Sequence, residues 1–110
     1  MGTRLFLSVF AIAFASCCYA DDNDITDIAD GITSYRLSAE FCHWPIPSNI
    51  DAVLKSDESH FSAKSPKAFR LGVTNGADRF KFLSKSTPDY CSEIKESRDE
   101  MTQSLKARVK

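Results

Sequence analysis

The stretch 69-FRLGVTNGADRFKF-82 carries the clearest local signal in the chain. Apolar and polar residues alternate up to Asn75-Gly76, and Phe80 and Phe82 alternate beyond it, as in two half-buried strands. Asn-Gly accepts the positive φ angles of a type I′ turn. The stretch is therefore predicted to be a β-hairpin.

Two further strands and one helix are predicted around the hairpin. Residues 35–41 alternate apolar and polar side chains and run into Cys42, and residues 90–94 form a short strand behind a turn at 87–89. Between them, Ser48 is placed to cap a helix that ends near residue 56 and has an apolar stripe of Ile50, Val53 and Leu54. The predicted fold class is α+β, with one short helix packed on a twisted antiparallel sheet.

The two ends of the chain beyond residue 20 are charged. Residues 21–33 are rich in aspartate and form an acidic leader, either one amphipathic turn or a frayed segment. Residues 95–110 form a charged tail, and a surface helix is predicted there from the helical spacing of Ile94, Met101, Leu105 and Val109. The folded domain between these ends is predicted to span residues 34–94.

Residues 1–20 are predicted to be a secretion signal. Arg4 precedes a compact apolar run over residues 5–15, and the segment closes on Cys18-Tyr19-Ala20, with small residues where a signal peptidase reads. The alternative is a membrane anchor, but a spanning helix needs about 20 apolar residues and this run is shorter. The expected product is secreted and soluble, with no membrane association.

Cleavage after Ala20 removes two of the four cysteines and leaves Cys42 and Cys91. An even pair in an exported chain predicts one disulfide bridge. The alternative is a metal site that combines the pair with His43 and His60, but these residues lack the close spacing of known zinc ligands. The sequence therefore predicts a disulfide and neither a metal site nor a cofactor.

No catalytic set is predicted. His43 lies in a proline-rich turn and His60 in a polar loop, so neither lies on a strand that would fix its geometry for acid–base work. Gly72 and Gly76 do not form a phosphate-binding loop. The near-neutral composition, with a formal net charge of −1, also argues against strong binding of nucleic acid irrespective of its sequence.

A partner-binding surface is the remaining candidate site. Arg70, Arg79 and Lys81 alternate on the hairpin face opposite the phenylalanines, where they would form a basic patch. The alternative is the ordinary solvated face of an amphipathic sheet. Trp44, the only tryptophan, is expected either to pack over the start of the helix or to act as an exposed anchor for a protein partner.

The order of several motifs is similar to that of a known group of secreted proteins. An aromatic-rich segment ends in Cys42, Ile46-Pro47 leads into the helix, and SPKAF (65–69) is followed by RFKFL (79–83) and then Cys91. This order resembles the small secreted effectors of powdery-mildew fungi, the ribonuclease-like proteins associated with haustoria that are called RALPH effectors. The resemblance covers roughly residues 35–94.

The resemblance implies a fold like that of the small microbial ribonucleases, with a disulfide joining its ends. It also implies delivery into the cytoplasm of host plant cells and suppression of immunity there. Some family members are recognised as avirulence factors by intracellular immune receptors, and members generally lack the ribonuclease catalytic set. This chain agrees, because such a catalytic set needs histidine and glutamate on the sheet with an arginine. Glu40, Arg70 and Arg79 fall on predicted strands, but no histidine does.

The leading hypothesis is therefore a secreted, non-catalytic virulence effector. Its expected partners are host plant proteins, including an intracellular immune receptor, with weak RNA binding as a further expectation. An active secreted ribonuclease is the second hypothesis. An extracellular inhibitor or ligand that never enters a cell is the third.

Overall fold

The computed structural model of the protein describes residues 21–109, and all regular structure within that range is helical. The predicted α+β fold is therefore wrong, and so is the ribonuclease-like fold that the resemblance implies. The predicted signal, residues 1–20, lies outside the described residues. The helices are α1 (Asp22–Cys42), α2 (Ser48–Lys64), α3 (Pro66–Ser86), α4 (Tyr90–Glu93) and α5 (Lys95–Lys106).

The predicted hairpin lies entirely inside α3. Three small residues, Ala68, Gly72 and Gly76, recur at every fourth position and are buried, so they lie along one side of a helix. Gly76 has no positive φ, and Asn75-Gly76 is an ordinary helical pair rather than a turn. Close packing of this small-residue side against a neighbouring helix overrides the local preference for strand and turn.

The predicted acidic leader and the predicted first strand are one continuous helix, α1. The helix begins with a capping box at Asp21: the Asp24 amide donates to the Asp21 carboxylate at 2.9 Å, and the Asp21 amide donates to the Asp24 carboxylate at 3.3 Å. The predicted domain boundary between residues 33 and 34 consequently falls inside a helix. The buried apolar side chains follow helical spacing, namely Ile25, Ile28, Ala29, Ile32, Tyr35 and Ala39.

The predicted helix from Ser48 is confirmed, and the structure extends it to Lys64. Pro47 occupies the N-cap position, so Ser48 is the first helical residue and does not cap. The predicted tail helix is confirmed as α5, in which Met101 and Leu105 are buried. The predicted strand over 90–94 is wrong, because residues 90–93 form the short helix α4.

Helix α1 is the centre of the fold. Its isoleucine side packs with buried side chains of α2, α4 and α5, and its opposite side packs closely against α3. Contacts of Thr26 with Ala68 and of Ser34 with Gly76 show that α1 and α3 run parallel. The core consists of Ile25, Ile28, Ile32, Tyr35, Ile50, Leu54, Phe61, Ala68, Tyr90, Ile94, Met101 and Leu105.

The backbones of α1 and α3 come into direct contact at the two glycines of α3. A Cβ atom on Gly72 would overlap the carbonyl oxygen of Thr26 and lie 2.6 Å from the Ala29 Cβ atom. A Cβ atom on Gly76 would lie 2.5 Å from the carbonyl oxygen of Asp30. Glycine is required at both positions, because any side chain would push the two helices apart.

The predicted disulfide is present and joins the last residue of α1 to α4. Cys42 and Cys91 are 49 positions apart in sequence, and their Cα atoms are 5.7 Å apart. Beside the bridge, the Phe41 ring packs edge-on against the rings of Phe80 and Tyr90. The bridge therefore holds α4, and with it the start of α5, against the end of α1.

The buried phenol of Tyr90 gives this region a pH-dependent stability. Its oxygen shares a hydrogen bond of 2.8 Å with the Ser38 hydroxyl. Burial raises the pKa of Tyr90 above its ordinary value, and the Ser38 hydrogen bond opposes that effect. Because the pKa is higher in the folded chain, this stability is fully present below about pH 10 and is lost as pH rises through the folded-state pKa.

We expect the Tyr90→Phe variant to lose less stability between pH 9 and pH 11 than the wild-type chain does. At neutral pH the variant should be less stable by about 1 kcal/mol, because Ser38 loses its partner. Denaturant unfolding of both proteins along the pH series measures both effects. Parallel loss of stability in the two proteins would contradict the assignment to Tyr90.

Candidate functional site: the outer face of α3

One side of α3 is exposed along the whole length of the helix. Its residues follow one another at helical spacing over five turns, on the side away from the buried glycines. We call this surface the outer face of α3. It consists of Lys67, Arg70, Leu71, Thr74, Asp78, Lys81, Phe82 and Lys85.

Two large apolar side chains stand on this face. Leu71 is 54 % exposed and Phe82 is 68 % exposed. They are 11 residues apart, which places them on the same line of the helix at a separation of about 16 Å. A single exposed leucine is ordinary on a protein surface, but two large apolar side chains aligned among cations are typical of a contact surface.

The cations of the outer face lack carboxylate partners. Among residues 21–109, no ion pair includes Lys67, Arg70, Lys81 or Lys85. Asp78 is the only carboxylate on the face. The face therefore has a net positive charge that no group in the described part of the chain neutralises.

The other arginines of the described chain behave differently, because each pairs with a carboxylate. Arg36 binds Asp51 and Glu58 of α2 at 2.7 and 2.9 Å and holds the pKa of Asp51 below its usual value. The remaining pairs are Arg79 with Asp30, Arg98 with Asp99, and Arg108 with Asp57. Among residues 21–109, Arg70 is therefore the one arginine for which no ion pair with a carboxylate is formed.

The structure separates the residues of the predicted partner-binding surface. Arg70 and Lys81 lie on the outer face, 11 residues apart and on one line of the helix. Arg79 is turned toward α1, where it pairs with Asp30. Trp44 lies in the connection between α1 and α2. The basic patch that was predicted on a sheet thus becomes a pair of cations on a helix.

Trp44 is half-buried and packed. The Arg98 guanidinium lies 4.6 Å from its ring centre, and the Tyr35 ring is tilted against it at 6.4 Å. Its indole nitrogen is buried, and no described residue accepts its hydrogen bond. Of the two histidines, His43 ends α1 with a positive φ of 58° and His60 is an exposed residue of α2.

Sequence reasoning did not include Leu71, Phe82, Lys67 and Lys85 among the candidate site residues. In a hairpin, Leu71 and Phe82 fall on the buried side with the other apolar residues. The available signal was the 11-residue spacing of Leu71 and Phe82, which corresponds to three helical turns. Arg70 and Lys81 have the same spacing. With the helical period of 3.6 residues per turn, these residues predict an amphipathic helix with basic residues beside exposed apolar ones.

A groove of about 760 Å³ lies between α2 and the residues that follow α5. Its charged lining residue is Arg108, whose guanidinium already donates two hydrogen bonds of 2.6 Å to the Asp57 carboxylate. The rest of the lining consists of small or apolar side chains and two neutral polar residues. The groove is therefore a weaker candidate than the outer face of α3.

Within residues 21–109, no three side chains of His, Cys, Asp or Glu are grouped closely enough to hold a metal ion. No helix in that range combines the length and apolarity needed to cross a bilayer. Comparison with known proteins gives no match to a protein family, to a curated protein or to a solved structure.

Proposed function

We propose that this chain is an exported, disulfide-stabilised helical protein that acts by binding a protein partner through the outer face of α3. The observation that carries this proposal is the pairing of exposed Leu71 and Phe82 with four cations that have no carboxylate partner in the described chain. Aromatic and arginine side chains supply most of the binding energy in protein interfaces.

Export is supported by two independent features. The first feature is the sequence of residues 1–20, which has the pattern of a secretion signal. The second is the bridge between Cys42 and Cys91, because disulfides persist in oxidising compartments. Action as an effector inside plant cells stays a more specific prediction. It has lost the support of the ribonuclease-like fold, so the broader function is the one proposed.

Site-specific photo-crosslinking tests the proposed function. A benzophenone side chain is placed at position 71 or 82 of the exported chain in the organism that produces it, with position 103 on α5 as the control, because Gln103 is also exposed. We expect a covalent adduct with a defined protein from positions 71 and 82 and none from 103. An excess of unlabelled wild-type chain should suppress the adduct.

The matched competitor is the Leu71→Gln/Phe82→Gln variant, which removes both apolar side chains without changing the charge and should fail to suppress the adduct. Both residues are exposed, so its stability should stay within about 0.5 kcal/mol of the wild type. Equal adducts from position 103, or none from positions 71 and 82, would show that the outer face of α3 is not the binding surface.

A further inference from the structure

The charge pattern of the outer face of α3 restricts the kind of partner that fits it. Resting on the function proposed above, we propose that the bound segment is an acidic amphipathic helix of the partner protein. Two of its apolar side chains pack on Leu71 and Phe82, and its carboxylates pair with Lys67, Arg70, Lys81 and Lys85. The inference comes from the arrangement of charges and apolar groups along a single helix.

The spacing of the contacts favours a helix as the bound segment. Leu71 and Phe82 are about 16 Å apart along α3, and Lys67 and Lys85 are about 27 Å apart. A helix laid along this face matches the 11-residue interval with one of its own, so its two apolar anchors should be 11 residues apart. Binding of an amphipathic helix by its apolar side is a common mode of recognition.

The four cations indicate that the partner's contact surface is negatively charged. Each of the four must lose part of its hydration when a partner covers the face, and that cost is offset only if a carboxylate comes into contact. The paired arginines Arg36 and Arg108 show how this chain meets the same requirement, because each binds carboxylates at 2.6–2.9 Å. A neutral partner helix would leave the cations without such contacts.

A second copy of this chain does not fit the face. Arg70 and Lys81 form one edge of the outer face of α3. When two copies of α3 pack face to face and antiparallel, this edge of one copy lies beside the same edge of the other. Asp78, the only carboxylate of the face, cannot neutralise four cations. Like charges opposed in this way disfavour self-association.

A lipid surface is also less suitable. Helices that lie in a membrane interface present a continuous apolar stripe flanked by cations. Here Thr74 and Asp78 lie between Leu71 and Phe82, so a carboxylate would be pressed against the lipid. A protein partner can place a donor opposite Asp78 and apolar groups at the two ends.

A display library of helical peptides with randomised surfaces tests the inference on the disulfide-bonded chain of residues 21–110. Selection is for the wild-type chain, with removal of peptides that also bind the uncharged variant Leu71→Gln/Phe82→Gln. We expect the enriched peptides to be acidic, to have apolar residues 11 positions apart, and to lose binding in 0.5 M salt. Enrichment of neutral or basic peptides, or no enrichment of any peptide, would overturn the inference.

Charge reversal gives the quantitative test on the best enriched peptide. Arg70→Glu/Lys81→Glu should weaken its binding at least about tenfold, a loss that electrostatic pairing explains. The control, Lys95→Glu/Lys106→Glu, makes the same change in net charge on α5 and should leave binding within about twofold. An equal loss in both variants would mean that only overall charge matters and would sink the proposal.

Two other probes decide between classes of partner. Vesicles of phosphatidylcholine with 30 % phosphatidylserine, and a 20-nucleotide single-stranded RNA, are titrated with the same wild-type chain. Binding to either that is tighter than to the best peptide and is lost in Arg70→Glu/Lys81→Glu would overturn the acidic-helix inference. The proposed function is judged separately, because photo-adducts from positions 71 and 82 stand whatever the charge of the selected peptides.

Discussion

Replacing Gly72 by alanine should destabilise the protein by about 3 kcal/mol, since the new methyl group overpacks a tight contact. Helix propensity alone would make the same change stabilising by about 1 kcal/mol. The added Cβ atom, however, would overlap the Thr26 carbonyl oxygen and lie 2.6 Å from the Ala29 Cβ atom. Neither group sits at the end of a flexible side chain, so α1 and α3 must separate.

Denaturant unfolding of the disulfide-bonded chain measures this loss. Asn75→Ala is the matched control, because Asn75 is an exposed residue of the same helix. In a helix this control should be neutral or slightly stabilising, whereas in a hairpin it would remove the residue that makes the turn. A stable Gly72→Ala together with a destabilised Asn75→Ala would contradict the helical packing of α3 on α1.

Removing the disulfide should have the second large effect. Cys42→Ala/Cys91→Ala opens a covalent loop between residues 49 positions apart. The chain-entropy model predicts a loss of about 4 kcal/mol for a loop of that length. Domains of this size have stabilities of only about 5–15 kcal/mol, so the variant should be close to unfolding.

The free energy of unfolding of the double variant, compared with that of the wild type before and after reduction, measures the contribution of the bridge. Amide hydrogen exchange adds a local readout. We expect the amides of α4 and the first turn of α5 to lose protection first, because the bridge holds them against the end of α1. A loss below 1 kcal/mol would show that packing around Phe41, Phe80 and Tyr90 is sufficient without the bridge.

The sequence predicts those parts of this fold for which a local cue has one meaning. Cys42 and Cys91 indicate the bridge, Ser48 followed by an apolar stripe indicates α2, and the spacing of Met101 and Leu105 indicates α5. Each of these features depends on residues close together in the sequence, or on a pairing with no competitor. All three are present in the structure.

The hairpin prediction was wrong because one cue has two meanings. Alternation of Phe69, Leu71 and Val73 is compatible with a strand, and it also arises in a helix in which these residues fall on different sides. Glycine at 72 and 76 weakens either element when considered locally. The reason for these glycines is the close contact of α3 with α1, and the local sequence pattern contains no information about that contact.

The candidate site was predictable in part. Arg70 and Lys81 are exposed in a hairpin and in a helix alike, so the predicted basic surface retained them. Leu71 and Phe82 were assigned to the core, because in a sheet apolar residues at alternate positions share the buried side. Assuming the strand period of two residues instead of the helical period of 3.6 therefore assigned Leu71 and Phe82 to the interior. The same assumption left Arg70 and Lys81 on the surface.

The capping box of α1 has a consequence for processing of the chain. Predicted cleavage after Ala20 converts the Asp21 amide into a free ammonium group, and the Asp24 carboxylate that accepts its hydrogen bond today would then form an ion pair with it. The Asp21 carboxylate keeps its bond to the Asp24 amide in either form. The first turn of α1 is therefore expected to keep both capping contacts with or without residues 1–20, so the formation of this turn should not depend on the predicted cleavage.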